Sequence, residues 1–512
     1  MNSNMTEQLD QLFRMWDRGL CPGAQVLIRQ HGKTLYEKCF GYGNLENKLK
    51  IHKESIFHVA SISKEFTVMS ILLLWKEGKL DLDDNIKKYL DEYINIETPI
   101  TIRQMMNNVS GLRDQWELLF LRGIKINDQI DMDDINTTIS LQKSLNFEPQ
   151  SQYLYSNTGF HLLALIVEKL SQMSFPQFVK ERIFTPLGMT HSFVRESFTQ
   201  IVPDLTYSYQ DEGDDTFYYN PLNYALYGPT SVNTCASDLC KVLDEYIHPN
   251  VIDPEIIELM KKPVLLSNGK TAEYCGGLIT HKLHGLDVFG HGGADAAYRG
   301  EIICIPEKEL ELVLISNTTT YAMSKLADKA ACIVLGLPDC TEPAVPEHEN
   351  APAHSGVFLT ALPDDPMFVD ITEQNGIFYM QREWCRTELV KEEDGGYRIG
   401  SLDEKIYFTD NGILYRLPGR VLTLTPAKPA DPALFQEGIY YNDETDSFMK
   451  LVKVENTCEI HMRRHGKTTL YQSTSGSIIF RMDANLVMYV KAENDTIIMD
   501  GGRIKHIIYQ KQ

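Results

Sequence analysis

Residues 61–64 read Ser-Ile-Ser-Lys and open a run without proline or glycine that continues to Glu77. Apolar residues recur in this run at helical spacing and Gly78 follows it, so the pattern predicts a helix from Ser61 to Glu77. Residues three positions apart share a helix face, which places the amine of Lys64 beside the hydroxyl of Ser61. A buried lysine with a lowered pKa can accept a serine proton, so Ser61 is a candidate nucleophile. Taken alone, the pattern is more simply a capped helix with a solvated lysine.

A second polar element is Tyr155-Ser156-Asn157. The apolar run over residues 160–170 predicts a helix after it. The phenol of Tyr155 can act as a base only when a nearby cation lowers its pKa, and Lys64 is the candidate cation. Asn157 offers both a donor and an acceptor for a substrate amide. Taken alone, the tripeptide is more simply a turn that caps the next helix.

A third element is the sequence Phe-Gly-His-Gly-Gly-Ala at residues 289–294, followed by a strand-like run at residues 301–306. Glycines beside a strand allow another backbone, here that of a substrate, to approach closely. His291 would then place a polar group at the edge of the site. The alternative is a glycine-rich turn with an incidental histidine.

The three elements S-x-x-K, Y-x-N and H-x-G occur in the order found in serine β-lactamases and penicillin-binding proteins, and the chain resembles that family. Histidine in place of the lysine of Lys-Thr-Gly resembles the class C-like branch, which includes D-aminopeptidases, alkaline D-peptidases, some esterases and penicillin-binding proteins. Segments at residues 101–112, 183–189 and 234–239 agree with this resemblance, which covers roughly residues 12–337. In length and layout the whole chain is similar to three-domain, D-aminopeptidase-like members.

The resemblance implies acyl transfer through a covalent acyl-enzyme. Ser61 attacks the substrate carbonyl, and its proton passes either to Lys64 or to a phenolate of Tyr155. The sequence does not decide between these two proton acceptors. The backbone N–H groups of Ser61 and Ala294 are expected to bind the oxyanion. Lys64 and Tyr155 should titrate as a coupled pair, because an ammonium near a phenol shifts both pKa values.

Further positions receive binding roles from the resemblance. Asn157 is expected to orient the acyl side of the substrate, and Gly293 to lie on the substrate-binding strand. His291 is expected to hold Tyr155 or the leaving group. Gln115 is expected to line the pocket, because its segment resembles the place where class C enzymes carry a glutamine.

The implied activity is hydrolysis of amide bonds in small D-amino-acid amides or peptides, without a metal or another cofactor. An esterase needs the same nucleophile, and a penicillin-binding protein or weak β-lactamase is acylated by the same route, so both stay open as alternatives. A non-catalytic scaffold is disfavoured because all the side chains of the three elements are present. The expected partner is a small amide, peptide or ester, and a homodimer is left open.

The 512 residues carry a formal net charge of −21, with 43% hydrophobic and 23% charged residues. This balance predicts a soluble globular protein and disfavours binding to nucleic acid or to an anionic membrane, which needs clustered basic residues. The 10 cysteines include no C-x-x-C pair, and His281 and His284 lie in an apparent hairpin, so no metal is expected. The first residues show no secretory signal pattern, and we expect a cytoplasmic location.

The order of periodic patterns predicts an α+β fold for the first domain, residues 1–337. Strand patterns occur at residues 25–40, helical patterns at residues 61–193 and strand patterns again at residues 264–317. A last helix is predicted over residues 324–335. The expected architecture is a β-lactamase-like, mostly antiparallel sheet with helices against it and a helical lobe.

The C-terminal part is predicted to be all β. A proline-rich linker is expected over residues 338–354. Short strands and a weak repeat of about 82 residues predict two small antiparallel β-barrels, at residues 355–427 and 433–512. The barrels are expected to shape the substrate cleft without carrying chemistry. The barrel loop at residues 480–487 looks shorter than the loop that reaches the active site in D-aminopeptidase.

Overall fold

A seven-stranded antiparallel sheet is the centre of the N-terminal part of the chain. The computed structural model describes residues 3–211, 215–319, 323–339, 344–360, 367–381, 386–399, 404–417, 420–474, 476–482 and 486–512. In spatial order the strands of the sheet are β10 (Tyr274–Cys275), β11 (Leu278–Leu283), β12 (Leu286–Asp295), β13 (Tyr298–Ile305), β14 (Leu310–Ser316), β1 (Ala24–Gln30) and β2 (Lys33–Phe40). Short strands lie outside it: β3 (Tyr42–Asn44), β4 (Leu49–Lys50), β5 (Phe57–His58), β6 (Phe193–Val194), β7 (Tyr209–Asp211), β8 (Phe217–Tyr219) and β9 (Val232–Thr234).

Helices cover both faces of the sheet, and the predicted α+β fold is confirmed. They are α1 (Ser3–Phe13), α2 (Ser63–Lys76), α3 (Lys87–Leu90), α4 (Ile102–Met106), α5 (Gln115–Leu121), α6 (Met132–Ser140), α7 (Asn157–Ser171), α8 (Phe175–Val179), α9 (Ala236–Ile247), α10 (Pro254–Lys261) and α11 (Met323–Leu335). Among the described residues, no helix combines the length and apolar character needed to cross a membrane.

Strand β14 shows how the sheet divides the core into two layers. All seven of its residues are buried. Side chains alternate across a strand, so Leu312 and Leu314 pack with α1 and α11, whereas Val313 and Ile315 pack with the helical lobe on the other face. Burial on both faces explains why this strand reads as a nearly continuous apolar run.

Helix α2 lies between the sheet and the lobe, and residues on all of its sides are buried. The predicted helix over residues 61–77 is present with a different start. A 3-10 turn, Ala60–Ile62, comes first and the α-helix begins at Ser63. Its end is as predicted, because Gly78 takes the left-handed conformation with φ 71°. The hairpin predicted around His281 is formed by β11 and β12.

The first C-terminal barrel is a closed ring of eight antiparallel strands, in which β15 pairs with both β16 and β22. Its strands are β15 (Gly356–Thr360), β16 (Phe368–Gln374), β17 (Ile377–Gln381), β18 (Arg386–Lys391), β19 (Tyr397–Ile399), β20 (Lys405–Thr409), β21 (Gly412–Leu417) and β22 (Arg420–Pro429). The described residues of the predicted linker form neither helix nor strand.

The second ring is closed by pairing of β23 with β31. Its strands are β23 (Gly438–Asn442), β24 (Ser447–Val454), β25 (Thr457–Met462), β26 (Gly466–Thr469), β27 (Tyr471–Ser473), β28 (Ile478–Arg481), β29 (Val487–Glu493), β30 (Thr496–Asp500) and β31 (Ile507–Lys511). Strand β22 runs past the predicted end of the first barrel at residue 427, continues to Pro429 and pairs there with β27 of the second ring. Proline is compatible with such an end-of-strand position, where its missing N–H is tolerated.

The second barrel is docked on the N-terminal part by buried contacts. Leu118 and Leu121 of α5 belong to the hydrophobic core of this barrel. The guanidinium of Arg113, whose side chain is 1% exposed, lies 2.6 Å from Glu444 Oε2. It also donates to Lys505 O at 3.1 Å and to the carbonyl oxygen of residue 506 at 3.0 Å. Buried apolar and charged contacts therefore hold the second barrel against the N-terminal domain.

Substituting Arg113→Met should lower the free energy of unfolding by about 3 kcal/mol, because it leaves Glu444 and two carbonyl groups without their buried partner. The matched control is Arg464→Gln, which removes an exposed ion pair between the same barrel and Asp128 and should cost less than about 1 kcal/mol. Urea titration followed by tryptophan fluorescence measures both. Equal effects of the two substitutions would contradict this account of docking.

Candidate active site

Ser61 lies in the 3-10 turn that precedes α2. Ala60, just before it, has φ 48°, in the left-handed region. A residue other than glycine takes this conformation only when its surroundings hold it there. One such restraint is the N–H of Val59, which donates to Val232 O at 3.0 Å. The turn presents the Ser61 side chain to a pocket.

The amine of Lys64 is fully buried at the centre of the site. Its Nζ lies 3.0 Å from Ser61 Oγ, 2.9 Å from Asn157 Oδ1 and 2.9 Å from Pro229 O. The predicted neighbourhood of serine and lysine, three residues apart, is therefore present. Burial holds the pKa of Lys64 well below its usual range, because removal from water penalises the charged ammonium.

The side-chain amide of Asn157 has a fixed orientation. Its Nδ2 donates to Asp114 Oδ2 at 2.7 Å, and its backbone N–H donates to the same oxygen at 2.8 Å. The other oxygen of Asp114 accepts from the N–H of Trp116 at 3.0 Å and caps α5. Because the amide nitrogen faces a carboxylate, the amide oxygen must face Lys64.

Tyr155 completes the contacts around the nucleophile. Burial is the main influence on its phenol and raises the pKa, while the nearby side chain of Ser61 acts in the opposite direction. The ring centroid lies 4.9 Å from Lys64 Nζ. The cation that was predicted to lower the pKa of the phenol is therefore in place, but burial has the larger effect and keeps the phenol protonated at neutral pH.

His291 is buried and neutral. Burial is the main cause that lowers its pKa to about 3, and Lys64 lowers it further. Its Nδ1 faces the carbonyl oxygen of Gly292, and its Nε2 lies 3.1 Å from the hydroxyl of Tyr274. A ring with the proton on Nδ1 satisfies both contacts. In the described structure, the hydrogen-bond partner of His291 Nε2 is therefore Tyr274, while the ring of His291 lies 6.2 Å from that of Tyr155, centroid to centroid. The rings of the two tyrosines lie edge to face with centroids 6.0 Å apart.

Strand β12 forms one wall of the pocket. β11 pairs with β12 as far as Gly290, and the next residues of β12 line the pocket. Gly293 lies against the segment before the nucleophile, because a Cβ at this position would be 2.3 Å from Val59 O. Ala294 and Ser61 line the same pocket, as their expected roles in the oxyanion site require. A strand edge of this kind can pair with an extended substrate backbone.

The pocket has a volume of about 760 Å³ and includes residues from the second barrel. Leu486 and Arg503 contribute to its wall, so the second barrel borders the cleft as predicted. Part of the loop for which a short reach was predicted, residues 483–485, lies outside the described residues. Leu486 belongs to the same loop and does line the pocket. A second segment that reaches the site, between β30 and β31, carries no local sequence pattern that predicts this position.

Gln115 does not lie where it was predicted. Its side chain is fully buried, and its neighbours Asp114, Trp116 and Glu117 line the pocket. The physical reason is local: α5 begins at Gln115 under the cap of Asp114, and this start directs the Gln115 side chain into the protein interior.

One group of potential metal ligands occurs among the described residues, His191, Cys235 and Asp238, with ligand atoms within 4.8 Å of one another. The carboxylate of Asp238 already accepts from the N–H of His191, the hydroxyl of Ser192 and the amine of Lys241, each at 2.8 Å. These bonds satisfy the carboxylate near the start of α9. The cluster therefore has a structural explanation and lies apart from the pocket.

Three residues of the site were missed by sequence reasoning: Asp114, Tyr274 and Arg503. Asp114 had a signal, since an aspartate just before a helical run is a favoured N-cap. Tyr274 and Arg503 had none, because tertiary contacts alone bring them to the site.

A serine, a buried lysine and a tyrosine meet beside a strand edge, between an antiparallel sheet and a helical lobe, and this combination defines a serine hydrolase with a β-lactamase-like fold. Comparison with known families agrees with this class. Residues 8–333 match the profile of the family described as "Beta-lactamase". The chain belongs to the β-lactamase family of serine hydrolases.

Curated relatives are identical to this chain at about a quarter of the aligned positions. Penicillin-binding protein 4* of Bacillus subtilis (strain 168) is 27% identical over 430 residues, which are 80% of this chain and 95% of that protein. D-aminopeptidase of Gluconobacter oxydans (strain 621H) is 28% identical over 320 residues, which are 62% of this chain and 59% of that protein. The match to D-aminopeptidase thus spans less than two thirds of that protein's length.

Solved structures support the fold. The octameric penicillin-binding protein homologue from Pyrococcus abyssi covers 83% of this chain with a TM-score of 0.58 and 22% identity, over 100% of its own length. A D-amino acid amidase from Ochrobactrum anthropi SV3 covers 65% of this chain with a TM-score of 0.54 and 21% identity, over 99% of its own length. At this level of identity the likeness concerns the fold alone.

Substituting Gly293→Ala should lower kcat by about 100-fold, because the added Cβ would force Val59, and with it the turn that holds Ser61, to move. Gly292→Ala is the matched control, since its Cβ would meet only the end of the flexible Glu301 side chain, 2.8 Å away. Steady-state hydrolysis of a small ester measures the effect, and thermal melting excludes unfolding. A control as inactive as Gly293→Ala would contradict the proposed contact.

Proposed function

We propose that this hydrolase cleaves amide bonds of small D-amino-acid amides or peptides through an acyl-enzyme on Ser61. The observation that carries this proposal is the set of contacts made by Lys64 Nζ to Ser61, Asn157 and Pro229. The preference for amides of D-amino acids has its support in relatives named D-aminopeptidase and in the fold shared with a D-amino acid amidase.

Counting donors and acceptors favours Lys64 as the base. A neutral amine has two N–H groups and one lone pair. The oxygens of Asn157 and Pro229 only accept hydrogen bonds and take the two N–H groups. The lone pair is left for the hydroxyl of Ser61, the partner at 3.0 Å that has a proton to donate. The low pKa of the buried amine agrees with this protonation state.

The reaction then follows with balanced protons. Ser61 Oγ attacks the substrate carbonyl while its proton moves to Lys64. The N–H groups of Ser61 and Ala294 stabilise the oxyanion of the tetrahedral intermediate. Tyr155, protonated in the resting enzyme, donates to the leaving amine and regains a proton from Lys64. Water then attacks the acyl-enzyme, and the same groups return Ser61 to its starting state.

A second candidate function is that of a penicillin-binding protein or weak β-lactamase. The alignment with penicillin-binding protein 4* favours it, because it extends over 95% of that relative. This candidate uses the same acylation of Ser61 and differs in the substrate and in the rate of deacylation. A third candidate is an esterase, which would hydrolyse an ester but not an amide.

A fluorophosphonate probe should label Ser61, and Ser61→Ala should abolish labelling and lower kcat by about a thousandfold or more. Ser324, which lines the same pocket, offers the matched control: Ser324→Ala should keep both labelling and most of the activity. Peptide mapping by mass spectrometry identifies the labelled residue. Labelling elsewhere, or activity retained without Ser61, would refute the nucleophile.

The substrate proposal is tested on the same preparation with D-alanine p-nitroanilide, its L-enantiomer, p-nitrophenyl acetate and benzylpenicillin. The proposal predicts turnover of the D-amide in preference to the L-amide. Turnover of the ester alone supports an esterase, and a stable penicilloyl adduct supports a penicillin-binding protein.

A further inference from the structure

Arg503, in the segment between β30 and β31, is held in the active site by its own backbone. Its N–H donates to both carboxylate oxygens of Glu117 at 3.0 Å. Its carbonyl oxygen accepts from the N–H of Asp114 at 3.2 Å and from Asn146 Nδ2 at 2.9 Å. The backbone of this barrel segment is thus bonded to the loop and helix that carry Asp114, and the Arg503 side chain is left to enter the pocket.

The guanidinium of Arg503 lies over the ring of Tyr155, 4.9 Å from its centroid. The amine of Lys64 lies at the same distance, 4.9 Å, from the centroid of the Tyr155 ring. The nearest ion-pair contact of Arg503 is Asp114 Oδ2 at 3.9 Å, beyond hydrogen-bond distance. That carboxylate already binds Asn157 and Trp116. The charge of Arg503 therefore acts on the tyrosine and on its neighbours at short range.

Strand β12, whose residues are all described, places no positively charged side chain beside Tyr155. His291 stands where Lys-Thr-Gly would carry a lysine, and burial keeps it neutral by lowering its pKa to about 3. An arginine keeps its charge from acidic pH to about pH 12. Arg503 is thus a permanent positive charge beside a phenol and an amine that both exchange protons.

We propose that Arg503, supplied by the second barrel, is a positioning residue that lowers the proton affinity of the Lys64–Tyr155 pair and so keeps Lys64 neutral when substrate binds. The inference rests on the proposed acylation of Ser61. It differs from the expectation that the barrels carry no part of the chemistry. A positive charge at this distance makes both an ammonium on Lys64 and a neutral phenol on Tyr155 less favourable than they are without it.

Other groups that face the pair act on the same protons, and the experiment must separate them from Arg503. Asp114 and Asp295 raise the pKa of Lys64, opposite to Arg503. Glu117 itself titrates near neutral pH, because burial raises its pKa to about 7. Among the described residues, the rings of Tyr274 and His291 also lie beside Tyr155, and Tyr153 raises the pKa of Tyr155 through its charge.

The test measures the second-order rate of Ser61 acylation by a neutral fluorophosphonate from about pH 5 to about pH 10 in the full-length protein. Arg503→Gln should move the acid limb of this profile to higher pH by about one unit, because Lys64 and Tyr155 then hold their shared proton more tightly. Arg503→Lys should reverse most of this shift and return the limb toward that of the unsubstituted protein, since it returns the charge. The same displacement should appear in a Glu117→Gln background.

Arg464→Gln is the control for docking, since it removes an ion pair between the same barrel and Asp128 and should leave the limb unchanged. A uniform loss of rate at every pH in Arg503→Gln would overturn the proposal and leave Arg503 a structural contact. An unchanged profile together with lost affinity for substrates that carry a carboxylate would overturn it in favour of an anion-binding role. Absence of Ser61 labelling in the unsubstituted protein would instead refute the proposed function.

Discussion

The contacts of Lys64 Nζ connect the separate parts of this active site. The amine lies within 3.0 Å of Ser61 and 2.9 Å of both Asn157 and Pro229, so the nucleophile turn, the start of α7 and the loop before β9 meet at one atom. A buried amine is tolerated only if its polar groups are bonded. The neutral form satisfies all of them and leaves a lone pair for the serine proton. Asp114 supports this geometry by fixing the amide of Asn157, and the strained turn at Ala60 supports it by presenting Ser61.

The elements with local signals could be predicted from the sequence. The juxtaposition of Ser61 and Lys64 depends only on helix periodicity, and the end of α2 depends on a glycine that can take a positive φ. The sheet and the barrels follow from alternation and turn residues. The start of α2 was misplaced because a 3-10 turn and an α-helix share the same apolar pattern over so few residues.

Side-chain partners across the fold could not be predicted in this way. His291 was expected to hold Tyr155 or the leaving group, and the contact that the sequence did not indicate is the one between its Nε2 and the buried hydroxyl of Tyr274. Gln115 was expected in the pocket, but the helix that starts at this residue buries it. Arg503 is far in sequence from every motif and reaches Tyr155 because contacts such as those of Arg113 and Asn146 dock its barrel. Such contacts depend on tertiary packing, which local patterns do not encode.

The most direct test of this account is the pKa of Lys64 itself, measured by an NMR pH titration of the protein labelled with ¹³C and ¹⁵N in lysine and assigned by comparison with Lys64→Gln. The account predicts that Lys64 loses its proton well below the ordinary lysine value of about 10.4, and that it is neutral at the pH at which Ser61 is acylated. A Lys64 that titrates together with the exposed lysines would contradict the account, because a permanent ammonium cannot accept the serine proton.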